Sequence, residues 1–226
     1  MRVLIVAATR PEVEPLVSAL SNPVAHNRVL SGILGLHKID VLLSGVGMVA
    51  TAVWTTRALA IGGYDLALNL GVCGSFNPDL PPPTVVHIVS ESMPELGAED
   101  GPAFLPIGQL GLLKDDEYPW TSGRLLNLEP PPIPALAALS EVAGITVNTV
   151  HGDEASIARL LARERADVES MEGAAFAYAC LAAGVPFAQV RAVSNRVERR
   201  NRAAWDLPGA IAALGRVSLQ LLTSNV

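Results

Sequence analysis

Short β-branched runs that alternate with helix-like segments constrain this chain more than any other feature. RVLIVAA, residues 2–8, ends at TRPE, where Pro11 suits the first turn of a helix over about residues 11–20. The order then recurs: KIDVLLSG precedes the Ala-rich MVATAVWTTRALA, DLALNLG runs into VCGSF, and ITVNTV precedes EASIARLLARER. ADVES precedes EGAAFAYACLAAG, which Gly184 and Pro186 stop, and PFAQVRAVSN gives a last internal strand before a helix over residues 207–222. Alternation of this kind predicts an α/β fold, a parallel or mixed sheet with helices on both faces. Residues 78–134 differ, being rich in Pro, Gly and acidic residues with weak periodicity. They predict an excursion of loops and short strands that covers a site or a subunit contact, so residues 1–226 read as one domain.

Charge narrows the function. The net charge is −6 and RVERRNR is the one Lys/Arg cluster, which argues against nucleic acid as the main partner and for a small molecule. Cys73 and Cys180 are too few for a disulfide framework, and the opening MRVLIVAATRPEVEP has no cleavage-like site, so a reducing cytoplasm is expected. No run approaches the roughly 18 apolar residues of a membrane span. His26, His37, His87 and His151 share no metal-ligand spacing with each other or with the cysteines, and neither a metal nor another cofactor is expected.

In open α/β sheets ligands sit at the C-terminal ends of the strands. The loops there are TRPEVE with Glu12, SGVGM, GVCGSF, VHGDEAS, ESMEG and SNRVERR. DVESMEGAA, residues 167–175, sets Glu169 and Glu172 in the most apolar part of the C-terminal half, where a carboxylate is costly unless it is paired or kept for chemistry. Glu12 also complements a helix N-terminus, and charge complementation alone explains such a residue about as often as function does. GVGMVA matches the dinucleotide fingerprint G-x-G-x-x-A, but it does not follow the first strand, and Asp65 opens a strand rather than closing one. A tight turn near some ligand is the better reading. Cys73 reads as a small packing residue. Asn195 ends a strand, where its amide can donate and accept hydrogen bonds at a ligand edge or simply terminate a turn. All these signals fall on strand C-termini.

SMEGAAFAYAC followed by GVPFAQVRAVSN resembles the signature of the superfamily of nucleoside phosphorylases and methylthioadenosine/S-adenosylhomocysteine nucleosidases. VESMEGAA together with VPFAQVRAVSNRVERRNRAAWDLPGAI is most similar to the futalosine hydrolases within it, and VLIVAATRPEVEPL, LLSGVGMVATA and LNLGVCGSF match the first three strand ends. The resemblance implies a three-layer mixed sheet flanked by helices. It implies hydrolysis of futalosine to hypoxanthine in a route to menaquinone, and a homodimer or larger homo-oligomer. On this pattern Met171 packs on the sugar, Glu172 binds the ribose hydroxyls, and Glu12 activates water. Asn195 reads the purine where adenine-specific members carry aspartate. Val72, Cys73 and Gly74 line the purine floor, Val46 of the second glycine turn touches the substrate, and Arg191 and Ser194 hold the purine-binding strand end. Glu169 is expected to be a supporting carboxylate.

Phosphorylases of the superfamily carry an arginine and a serine or threonine near the third glycine turn, where this chain has Asn69 and Val72. Neither neutralises a phosphate dianion, so water is the expected nucleophile. The alternatives are a methylthioadenosine/S-adenosylhomocysteine- or aminodeoxyfutalosine-type nucleosidase and, in another class, a nucleoside-binding protein without turnover.

Overall fold

The computed structural model describes residues 1–223. In chain order the elements are β1 (Arg2–Ala7), α1 (Arg10–Ser18), β2 (Ser21–His26), β3 (Val29–Leu34), β4 (His37–Leu43), α2 (Met48–Gly62), β5 (Leu66–Ser75) and β6 (Val85–Ser92). They continue with β7 (Gly97–Asp100), β8 (Ala103–Pro106), β9 (Leu125–Leu126), α3 (Pro134–Ala137), β10 (Ser140–Thr146), α4 (Glu154–Leu161), β11 (Val168–Ser170), α5 (Gly173–Ala183), β12 (Phe187–Arg196) and α6 (Leu207–Thr223).

The main sheet runs β11-β10-β6-β12-β5-β1-β4-β3-β2, with β9 alongside β6, and it mixes parallel and antiparallel pairs. β1 shows how sequence becomes layers. Val3 and Ile5 join Val13 and Leu16 of α1 and Ala210 and Leu214 of α6 in one core. Leu4 and Val6 face the other way, onto Ala58 and Leu59 of α2 and Phe176 and Cys180 of α5. The period-2 alternation of a strand buried on both faces therefore makes the three layers.

The strand β5 is ten residues long and is the hub of the sheet. It pairs parallel with β1 and β12, and its far end pairs antiparallel with β11, Glu169 opposite Gly74. Because β11 also pairs with β10, the path β5-β12-β6-β10-β11 returns to β5, and this half of the sheet closes on itself. Closure gathers the C-terminal ends of β5, β11 and β12 around one space.

Several elements differ from the sequence expectation. The strand expected at ITVNTV lies earlier, ending at Thr146, because its register is set by pairing with β6 and β11 rather than by its own residues. Residues 78–134 are not only loops and short strands: β6 is an eight-residue interior strand paired with β10 and β12. Pro81, Pro82 and Pro83 immediately before it masked the β-branched VVHIV. The hairpin of β2 and β3 shows no clear alternation because β2 is exposed throughout at the sheet edge. The helix begun at Glu154 stops at Leu161.

α1 is held to α6 at a close contact. A Cβ on Gly215 would stand 2.7 Å from both Cβ and Cγ of Pro15. Gly215→Ala is expected to push the two helices apart and cost about 1–3 kcal/mol, as overpacking does. Thermal melting reads this as a fall of about 2–4 °C per kcal/mol in a chain of this size; an unchanged Tm would show that the contact relaxes freely.

Candidate active site

The strand ends enclose a cavity of about 370 Å³. It takes residues from nearly every loop picked out above: Glu12 from α1, Val46 from the glycine turn, Val72, Cys73 and Gly74 from β5, Met171 and Glu172 before α5, and Ser194 and Asn195 from β12. Arg191 does not line it. This arginine, expected to hold the strand end, is 1% exposed, lies behind the wall and reaches Glu172 and Asn69.

Glu12 is the third residue of α1, and the helix start fixes its carboxylate. Oε2 accepts from Thr9 N–H at 2.8 Å and from Thr9 Oγ1 at 2.8 Å, while Oε1 accepts from Val72 N–H at 3.1 Å. The helix-start reading and the cavity reading are therefore both true, since the group that caps α1 also borders the cavity. Gly71 makes this approach possible. A Cβ there would stand 2.9 Å from Glu12 Oε1 and 2.2 Å from Arg191 Nη1, so only glycine lets both side chains reach the strand.

Glu172 is the N-cap of α5 rather than a helical residue. Its Oε1 accepts from Gly47 N–H at 3.0 Å, and its Oε2 lies 3.6 Å from Arg191 Nη1. The GVGMVA turn, with Gly45 and Gly47 at positive φ, thus presents a backbone N–H to a carboxylate and not to a dinucleotide.

A bulge aims Asn195. The β12–β5 register sets Val193 opposite Cys73 and Asn195 opposite Gly74, leaving Ser194 as the extra residue. Asn195 Oδ1 lies 2.8 Å from Ser194 Oγ, which donates to it, and Nδ2 donates to Arg196 O at 2.9 Å. Among the described residues, the second hydrogen of Nδ2 has no acceptor. Burial pushes the Cys73 thiol up to about 12, so it meets the cavity as a packing group, not a nucleophile.

Glu169 also borders the cavity, and His151, which carried no motif of its own, is its partner: Oε1 accepts from His151 N–H at 3.0 Å and Oε2 lies 2.7 Å from Nδ1. Trp205, Leu207 and Ile211 complete the apolar wall. All three lie in the stretch RAAWDLPGAI that carries the resemblance, but none of them is singled out there as a site residue. Among the described residues, no three His, Cys, Asp or Glu side chains gather in a way that would hold a metal ion, and no helix is long and apolar enough to cross a membrane.

A phosphorylase superfamily model matches residues 2–223. The chain belongs to the phosphorylase superfamily. A futalosine hydrolase of Streptomyces coelicolor is 36% identical over 93% of this chain and 91% of its own length. A 5'-methylthioadenosine/S-adenosylhomocysteine nucleosidase of Shewanella baltica is 28% identical over 91% of this chain and 89% of its own. Among solved structures, such a nucleosidase from Colwellia psychrerythraea in complex with adenine superposes with a TM-score of 0.82 at 21% identity, covering 98% of this chain and 94% of that one. This chain is a nucleosidase of the phosphorylase superfamily, and its three-layer architecture is the superfamily's.

Glu91 of β6 is 1% exposed; its Oε2 accepts from Thr146 Oγ1 at 2.9 Å while Oε1 has no partner. Burial raises its pKa to about 7. A folded value above the unfolded one means that folding takes up a proton, so the contribution to stability is fully present below the ordinary carboxylate range and is lost as pH rises through about 7. Glu91→Gln, which keeps the shape and cannot ionise, is expected to flatten denaturant-measured stability between pH 5 and pH 8, a window set by the ordinary carboxylate pKa of about 4.3 and the raised value. The same slope in wild type and variant would remove Glu91 as its source.

Proposed function

We propose that this chain hydrolyses the N-glycosidic bond of futalosine, releasing hypoxanthine and dehypoxanthine futalosine. The observation that carries the reading is the cavity with Glu12 and Glu172 on its walls and Asn195 on its β12 edge, in a chain so similar to a futalosine hydrolase. The reaction passes through an oxocarbenium-like sugar. Glu172, whose oxygens keep lone pairs beyond their contacts with Gly47 and Arg191, accepts the ribose hydroxyls and faces the developing positive charge. Met171 packs on the sugar. Water attacks the anomeric carbon and gives its proton to Glu12, and the bonding pair leaves with the purine. The free hydrogen of Asn195 Nδ2 donates to the purine edge, with Val72, Cys73 and Gly74 as its floor and Val46 at the turn.

Water rather than phosphate is favoured by the third glycine turn. Asn69 is occupied, donating to Val6 O at 2.9 Å and accepting from Arg191, and Val72 brings only apolar surface and a backbone N–H already given to Glu12. The place of the reaction is a cytoplasmic route to menaquinone, with the protein as a homodimer or larger homo-oligomer. Val49 and Val53 of α2 and Tyr178 of α5, exposed by 78%, 58% and 42%, supply an apolar face for such an assembly.

Release of the free purine, hypoxanthine from futalosine and inosine and adenine from aminodeoxyfutalosine and methylthioadenosine, assayed with and without phosphate, tests the reading. Turnover is expected with futalosine and no dependence on phosphate; phosphate-dependent formation of a sugar phosphate would refute hydrolysis. Glu12→Gln is expected to abolish turnover while ligand binding stays within roughly tenfold, because an amide takes no proton from water. Substantial residual turnover removes Glu12 from that role.

Base choice rests on Asn195. Its amide donates to O6 or N7 of a 6-oxopurine, whereas an ionised aspartate only accepts. Asn195→Asp is expected to shift relative kcat/KM towards aminodeoxyfutalosine by on the order of 10- to 100-fold, the effect of about 1–3 kcal/mol for a mispaired buried group. A ratio that does not move leaves Asn195 as a turn residue.

A further inference from the structure

Three acidic groups of the cavity are already matched, and two of its cations are not. Glu12 is met by Thr9 and Val72, Glu169 by His151, and Glu172 by Gly47 and Arg191. Arg196 and Arg200 also line the cavity, together with Glu198 on the same loop, and among the described residues none of these three takes part in a salt bridge. The two arginines are held differently. Arg196 ends β12, whereas the Arg200 guanidinium stands over the Trp205 ring, 5.7 Å from its centroid. The loop carrying it closes against the β10–α4 loop, since a Cβ on Gly152 would stand 3.8 Å from Arg200 Cβ.

A guanidinium stacked on an aromatic face keeps its edge donors free for a planar anion. A neutral purine has no need of a full charge, and its edge already has Asn195. The ribose would be centred on Met171 and Glu172. What remains of a nucleoside is its 5′ arm, and a cation held at the apolar wall of Trp205, Leu207 and Ile211 matches an arm that is apolar along its length and acidic at its end.

We propose that Arg200, positioned by Trp205, forms a subsite for a carboxylate on the 5′ arm of the nucleoside and makes the enzyme select acidic arms over neutral ones. The inference rests on the nucleosidase reading of the same cavity and adds the chemistry of its second substituent. Futalosine, whose 5′ arm ends in a benzoate, is the natural probe, and its methyl ester is the matched neutral one.

The test measures kcat/KM and calorimetric binding for futalosine, its methyl ester and inosine, with wild type, Arg200→Gln, Arg200→Lys and Arg196→Gln. Arg200→Gln is expected to weaken futalosine by about tenfold, chiefly in KM, the lower range for a charge-assisted contact at a partly open site, and to leave the ester and inosine within about twofold. Arg200→Lys recovers part of the loss, since it keeps the charge without the fork, and Arg196→Gln has the smaller effect. Equal loss on all three ligands, or no loss on futalosine, overturns the proposal and makes Arg200 a loop or purine contact. Binding separates the two readings. A wild type that binds the acid more tightly than the ester yet releases no base sinks the hydrolase assignment and keeps the subsite, while cleavage of both with equal affinity does the reverse.

Discussion

The structure is organised around a buried arginine. Arg191 heads the largest fully buried side chains, and a guanidinium taken out of water is tolerable only if its charge and donors are met. Glu172 at the start of α5 meets the charge and Asn69 in β5 accepts a donor, while Nε keeps no partner. Gly71 is the necessary counterpart, because any side chain there would collide with the guanidinium. One residue of β12 thereby ties together a central strand, the N-cap of α5 and, through Gly71, the carboxylate of α1. Removing either Glu172 or Arg191 leaves a buried charge uncompensated, a loss of about 3–5 kcal/mol for such pairs.

That arrangement bears on chemistry as much as on stability. An arginine committed to Glu172 and Asn69 has no charge left for a phosphate dianion, so membership of the phosphorylase superfamily sits comfortably with water as nucleophile. The same pair orients Glu172 while its other oxygen takes the Gly47 N–H, so the carboxylate is fixed at the cavity wall. Glu12 is held likewise by three donors. Both acidic groups are therefore held before any ligand arrives, and the freer side chains of the cavity are Arg196 at the end of β12 and Glu198 and Arg200 on the loop after it.

Glu169 shows how closure of the sheet brings an ordinary strand position to the cavity wall. β11 has three residues, and its pairing with both β10 and β5 sets Glu169 opposite Gly74, on the cavity wall and beside His151. Glu169 and Glu172 stand three residues apart, yet one reaches an imidazole and the other a buried arginine.

The sequence by itself determined the layers and the loops. Alternating apolar runs and Ala-rich segments identify β1, β4, β5, β12 and most helices, because periodicity is a local property of residues buried on one face or two. Glu12, Glu172 and Asn195 were legible as candidates since polar groups at strand ends stand out against apolar runs. Only the tertiary structure decided the rest, where the deciding partner is distant in sequence. The place of β10 depends on β6 and β11, the interior role of β6 on β10 and β12, and the aim of Asn195 on a one-residue bulge against β5. Arg191 stays out of the cavity lining because Asn69 and Glu172, far apart in the chain, converge on it. A side chain's type is fixed by the sequence, but the free energy of placing it depends on neighbours that only folding brings within hydrogen-bonding distance.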